Sequence, residues 1–243
     1  YTYEFLQNVL TEVIDLFPST YIHVGGDECP KGNWKNCPDC QQKMKNEGMN
    51  HIEELQSYLM QRMEKFLMSK NRKLIGWDEI LEGGLAPEAT VMSWRGTKGG
   101  IKAAREGHDV VMSPTSHCYF DYSQYNPEYE PEAGNVLTNL EKVYAFHPIP
   151  AELNEREAKH ILGAQGNIWT EKIYTPNRVE VMALPRMTAL SEVLWTDNKQ
   201  LDFTDFRNRL MNFYTRLSWL NYHYFVPMPT GMANENMYVT NFV

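Results

Sequence analysis

Five short runs rich in β-branched and aromatic residues recur along this chain, with stretches of helical periodicity between them. The runs are Thr20–Gly26, Lys73–Asp78, Thr90–Trp94, Asp109–Ser113 and Ile161–Gly166. Each reads as a strand. Phe5, Leu6, Val9, Leu10, Val13, Ile14 and Phe17 repeat at helical spacing before Pro18, so the chain opens inside a helix. Ile52, Leu55, Leu59, Met63, Phe66 and Leu67 predict a second helix over 51–69, with the methionines as core packing. Shorter helices are expected over 98–106, where Gly107 stops the turn, and over 138–145. Pro176 sits where the first turn of a helix over 177–194 begins. A last helix over 203–219 carries Phe206, Leu210, Phe213, Tyr214 and Leu217 on one face. Residues 29–50 and 114–136 read as long loops. Strands alternating with helices make an α/β fold around a parallel sheet. Five strands leave two open sheet edges, an invitation to pair as a homodimer.

Composition narrows the function. The net charge of −8 lacks the basic footprint that nucleic acid requires. No apolar run approaches the length of a membrane span, and the first residues do not read as a signal peptide. Six Trp and fourteen Tyr suit a cleft for pyranose rings as well as a large core. Cys29, Cys37 and Cys40 cluster in one loop, and Cys37-Pro38-Asp39-Cys40 is a C-x-x-C pair. A local disulfide, a redox pair, free thiols and a metal knuckle all fit that spacing, the last only if Cys118 or His51 supplied a fourth ligand.

The chemistry-bearing feature is His23-Val24-Gly25-Gly26-Asp27-Glu28. Two glycines turn the chain at the end of a strand and deliver adjacent carboxylates to its C-terminal tip, where barrel enzymes place catalytic groups. An adjacent Asp-Glu pair by itself is most often a solvated turn, and His23 reads as a core histidine bonded to a neighbouring strand. Four further motifs follow in order at strand ends: Gly76-Trp77-Asp78-Glu79, Ser93-Trp94-Arg95-Gly96, Tyr119-Phe120-Asp121 and Trp169-Thr170-Glu171. Together the five resemble the signature of family 20 glycoside hydrolases, the exo-β-N-acetylhexosaminidases.

The resemblance implies a (β/α)8 TIM-barrel type fold with about the last five β/α units in this chain. Residues 1–226 would be that partial barrel, and 227–243, rich in Pro, Gly, Met and Asn, a tail or linker. The family's first three strands and a sugar-gripping arginine have no counterpart here. The implied reaction removes terminal β-linked N-acetylglucosamine or N-acetylgalactosamine from glycans, with the substrate's own acetamido group as nucleophile. By resemblance Glu28 is the general acid and then base, Asp27 orients the acetamido group, and Tyr119 donates to its carbonyl. Trp77, Trp94 and Trp169 wall the pocket, though Trp77 and Trp94 also read as core residues, and Asp121 and Glu171 bind sugar hydroxyls. Tyr122, Tyr125 and Tyr129 compete with Tyr119 by composition. Asp78 and Glu79 read as supporting groups, and Glu128–Glu132 as a solvated acidic loop. No cofactor or metal is implied. The family is mostly secreted, periplasmic or lysosomal, which implies an extracytoplasmic place of action. Two rival readings stand beside this one. The chain could be a partial barrel that binds sugar or self-associates without turnover. It could also be a conventional retaining glycosidase with Glu79 or Glu171 as the nucleophile.

Overall fold

The computed structural model describes residues 1–126 and 130–226, together with the backbone of Tyr238–Val239. The expected tail over 227–243 therefore lies outside the described residues except for that backbone pair, as do Pro127, Glu128 and Tyr129.

In chain order, helix α1 (Thr2–Leu16) leads to strand β1 (Tyr21–His23), then α2 (Gly32–Asn36), α3 (Pro38–Glu47) and α4 (Glu54–Ser69). Strand β2 (Lys73–Trp77) runs into a 3₁₀ turn, Asp78–Leu81, followed by β3 (Thr90–Ser93), α5 (Lys98–Arg105) and β4 (Val110–Met112). Short elements follow: α6 (Thr115–Cys118), β5 (Tyr122–Ser123), β6 (Gly134–Leu137), α7 (Leu140–Tyr144) and α8 (Glu155–Ala158). The chain continues with β7 (Ile161–Ala164), α9 (Pro176–Ala183), α10 (Arg186–Trp195), α11 (Phe203–Trp219), β8 (Tyr224–Phe225) and β9 (Tyr238–Val239).

The main sheet has five strands in the order β1-β2-β3-β4-β7. β1 pairs with β2, β2 with β3 and β3 with β4, all in parallel, with Ile22 opposite Leu74, Trp77 opposite Met92 and Met92 opposite Val111. Sequential order with helical crossovers is the parallel arrangement that the alternation predicts, and it fits the barrel type that the resemblance implies. β3 is buried throughout, as a parallel strand covered on both faces must be.

The chain divides into two compact units. The first comprises residues 1–112 and 150–162. Its core holds Ile22, Met63, Leu67, Leu74, Val91, Ala103, Ala104, Val110 and Met112. The second comprises 113–149 and 163–243. There Phe120, Val143, Met182, Leu190, Phe206, Leu210, Tyr214 and Leu217 are buried.

Four expectations need correction. Residues 29–50 are not one loop: Pro38 opens α3 at its first turn, and Gly48, at φ 68°, closes it in the left-handed conformation. Residues 114–136 likewise contain α6, β5 and the start of β6. The helix expected over 177–194 is two helices, because Pro185 offers no N–H and its ring forces Leu184 into an extended conformation. The buried face of α4 is Gln56, Ser57, Met60, Met63, Glu64 and Leu67, one position round from the apolar stripe. The buried polar groups bind loop backbone. Ser57 Oγ donates to the Gly84 carbonyl, and Glu64 Oε1 accepts the Glu88 N–H at 2.8 Å.

Candidate active site

Beyond β1 the chain turns through Gly25 and Gly26, at φ 77° and 100°. Side chains rarely adopt such values, which accounts for both glycines. Gly26 has a second constraint: a Cβ there would lie 2.5 Å from Ile80 Cγ2. The turn is clamped from two sides. The Gly25 carbonyl accepts the Trp77 N–H at 2.9 Å, and the Gly26 carbonyl accepts Gln56 Nε2 at 2.6 Å. This clamp presents Asp27 and Glu28, both exposed. Glu28 itself sits at φ 45°. A non-glycine residue there costs roughly 1–3 kcal/mol and persists only when its surroundings over-determine it.

His23 is exposed, not a core residue. Its ring meets Trp77 edge-on at 4.9 Å, and its Nδ1 accepts the Gly25 N–H at 3.1 Å. Loss of solvent on the packed side holds its pKa below the ordinary imidazole value, and the Asp27 charge pulls the other way.

Trp77 ends β2 and is buried against Ile75 and Met92, with Trp94 partly buried beside them. The two indoles meet edge-to-face at 6.4 Å. Asp78 and Glu79 fix the second one. Asp78 Oδ2 accepts the backbone N–H of Trp94 at 3.0 Å and of Arg95 at 3.2 Å, while its Oδ1 accepts Arg95 Nε at 2.5 Å. Glu79 Oε2 accepts the Trp94 indole N–H at 2.9 Å.

In the second unit a parallel bridge joins Tyr119 to Asn167. Its rungs are Phe120 N–H to the Asn167 carbonyl and Asn167 N–H to the Cys118 carbonyl, both 2.7 Å. Tyr119 is thereby held against Trp169, ring centroids 6.4 Å apart, and Tyr122 packs on it at 5.6 Å. Burial pushes the Tyr119 hydroxyl up to about 12, against hydrogen bonds from the Trp169 and Asn167 side chains. It therefore keeps its proton at any physiological pH. Asp121 is half-buried, and among the described residues its Oδ1 is buried with no hydrogen-bond partner. Burial raises its pKa above the usual carboxylate value, the Glu171 charge adds to that, and hydrogen bonds from backbone N–H groups and the charge of Arg186 oppose it. An unsatisfied buried carboxylate oxygen is a group that a ligand hydroxyl would satisfy. Trp169 and Glu171 are exposed.

Residues 1–198 match the description "Glycosyl hydrolase family 20, catalytic domain". This chain belongs to glycosyl hydrolase family 20. The beta-hexosaminidase of Porphyromonas gingivalis is 48% identical to it over 238 residues, covering 98% of this chain and 31% of the relative. The beta-hexosaminidase of Vibrio furnissii is 39% identical over 197 residues, covering 78% and 32%. The crystal structure of the GH20 exo beta-N-acetylglucosaminidase from Vibrio harveyi, in complex with N-acetylglucosamine, superposes with a TM-score of 0.83 at 33% identity. The match covers 93% of this chain and 36% of that one. The family 20 chain described here thus spans about a third of the length of these relatives.

Within this family 20 fold the first unit brings together Asp27, Glu28, Trp77 and Trp94, and the second Tyr119, Asp121, Trp169 and Glu171. Sequence reasoning passed over Gln56, Asn167 and Arg186. Gln56 and Arg186 lie in segments read as helices and Asn167 just past the glycine-punctuated strand; all three are buried, and their polarity is the only signal in the sequence. The four cysteines are unbridged thiols. Among the described residues no three His, Cys, Asp or Glu side chains gather to hold a metal ion, and no helix is long and apolar enough to cross a membrane.

Proposed function

We propose that the protein hydrolyses terminal non-reducing β-linked N-acetylglucosamine or N-acetylgalactosamine by a substrate-assisted, retaining route. Support comes first from the clamped Gly25-Gly26 turn that presents Asp27 and Glu28 in a chain of this family. In this reading the acetamido carbonyl oxygen attacks the anomeric carbon, the glycosidic C–O bond breaks, and Glu28 gives its proton to the leaving oxygen. An oxazolinium ion results. Glu28 then takes a proton from the water that attacks the same carbon and reopens the ring. Asp27 accepts the acetamido N–H and balances the developing positive charge. Tyr119, which keeps its proton to about 12, donates to the attacking carbonyl. Trp77, Trp94 and Trp169 exclude water, and Asp121 and Glu171 hold the sugar's hydroxyls. Residues 1–226 carry this chemistry.

The conventional alternative, with Glu79 as nucleophile, is disfavoured because that carboxylate is buried and committed to the Trp94 indole. The rival of a non-catalytic fragment keeps its weight from the chain's share of its relatives. Hydrolysis of a fluorogenic β-N-acetylglucosaminide by the chain and by Glu28→Gln separates these readings. Turnover lost in the variant, and strong inhibition by a thiazoline mimic of the cyclised intermediate, are the expected results. No turnover from the unmutated chain would favour the binding fragment. The family resemblance supports an extracytoplasmic place of action. β1 is an edge strand of the main sheet, which supports homodimer formation; a monomer by sedimentation would remove that part.

A further inference from the structure

Among the described residues Arg186 is the largest fully buried side chain, 0% exposed. Every one of its N–H donors meets a backbone carbonyl. Nε and Nη2 bond Met182 at 3.2 and 2.7 Å. Nη1 bonds Tyr122 and Thr138, both at 2.9 Å, and Nη2 also bonds Phe120. The guanidinium lies 5.0 Å from the Phe120 ring centroid. Among the described residues it touches no carboxylate directly; Glu130 and Asp121 act on it through space. Burying a cation this deeply is costly unless its surroundings compensate it. Here the compensation is carbonyl dipoles. Met182 offers one from the last turn of α9, where carbonyls lack helical partners. Two others, Phe120 and Tyr122, flank Asp121, and the last, Thr138, follows β6.

Those loop carbonyls have a specific placement. Phe120 and Tyr122 are the residues on either side of Asp121, so one guanidinium grips the peptide that enters Asp121 and the next but one, which joins Tyr122 to Ser123. The Asp121 carbonyl is held as well, by the Gly134 N–H at 3.0 Å. The backbone of Asp121 is therefore fixed on three counts while its Oδ1, buried, has no partner among the described residues. We infer that Arg186 is a positioning residue: its planar fork sets the loop so that Asp121 meets the sugar's hydroxyls. This rests on the sugar-binding reading of Asp121 given above. A lysine would keep the charge but cannot reach four carbonyls from one flat fork.

The test uses Arg186→Lys, Arg186→Met, Asp121→Ala and the Arg186→Lys/Asp121→Ala double variant. Amide exchange by mass spectrometry is expected to speed up at least about tenfold over 119–124 and 137–138 in both single Arg186 variants. Exchange in β2 and α5 should stay unchanged. Hydrolysis of the fluorogenic substrate should fall about 10²-fold in kcat/KM, divided between kcat and KM as in Asp121→Ala. The double variant should lose little more than either single one. Unchanged exchange over 119–124, losses that add fully to those of Asp121→Ala, or loss of the whole fold in both Arg186 variants would each overturn the inference. Absence of turnover in the unmutated chain would strike the functional reading instead, and the exchange measurement would still decide the positioning role.

Discussion

Glu79 Oε2 accepts the indole N–H of Trp94 at 2.9 Å, a bond between a residue that follows β2 and one that follows β3. The acid is buried at 6% exposure, and among the described residues its nearest charge partner is Arg95 Nε at 3.7 Å. The bond fixes the Trp94 indole, which the proposed function makes a wall of the pocket. Glu79→Gln keeps the shape and gives up the charge, so turnover of the fluorogenic substrate should fall by no more than about 10²-fold. A loss of about 10⁴-fold or more would make Glu79 a nucleophile and revive the conventional mechanism.

Gly26→Ala should damage the site and the fold together. The new Cβ would lie 2.5 Å from Ile80 Cγ2 at a φ of 100°. The expected loss is more than about 1 kcal/mol of stability, read as a lower midpoint in urea. Turnover should fall with it, because the same turn carries Asp27 and Glu28. A variant as stable and active as the parent would mean that the turn is not clamped.

Stability should depend on pH through two histidines. Burial lowers the pKa of His23 and of His117, the latter with help from Lys142 and His147. Between those lowered values and the free value of 6.5 the unfolded chain binds more protons than the folded one. Stability therefore rises with pH across that window, is full above it and is lost as pH falls. Thermal midpoints from about pH 5 to about pH 7.5 should climb in the parent and climb less in a His23→Gln/His117→Gln variant. Parallel curves would count against this assignment.

The thiols should react unequally. Hydrogen bonds from the Cys40 backbone and side chain lower the Cys37 pKa, while Cys40 is raised. Burial pushes Cys118 up to about 12. The thiolate is the reactive form, so alkylation followed by peptide mapping should label Cys37 first and Cys118 only on unfolding. Equal labelling of Cys37 and Cys40 would contradict the asymmetry.

How far the sequence could be read varies from element to element, for physical reasons. α11 was legible almost to the residue because Phe206, Leu210, Tyr214 and Leu217 are both apolar and buried. α4 was misread by one position because Gln56, Ser57 and Glu64 turn inward to bind loop backbone, and periodicity counts apolar residues only. The break at Pro185 was written in the chain, and the strong apolar pattern on both sides hid it. α3 was hidden by its polarity: of its ten residues only Met44 is buried.

The alternation of strands and helices, and the ordered motifs at strand ends, are properties of neighbouring residues. The sequence alone therefore determined the fold class, the family and the candidate site residues. Which polar side chains go inside, and what they hold there, was decided by tertiary structure. Gln56 meets Gly26 thirty positions away, and Arg186 meets Phe120 at a separation of 66. No spacing rule encodes such pairs. They form because a buried donor without an acceptor is costly, and only the folded chain determines which carbonyl lies within reach.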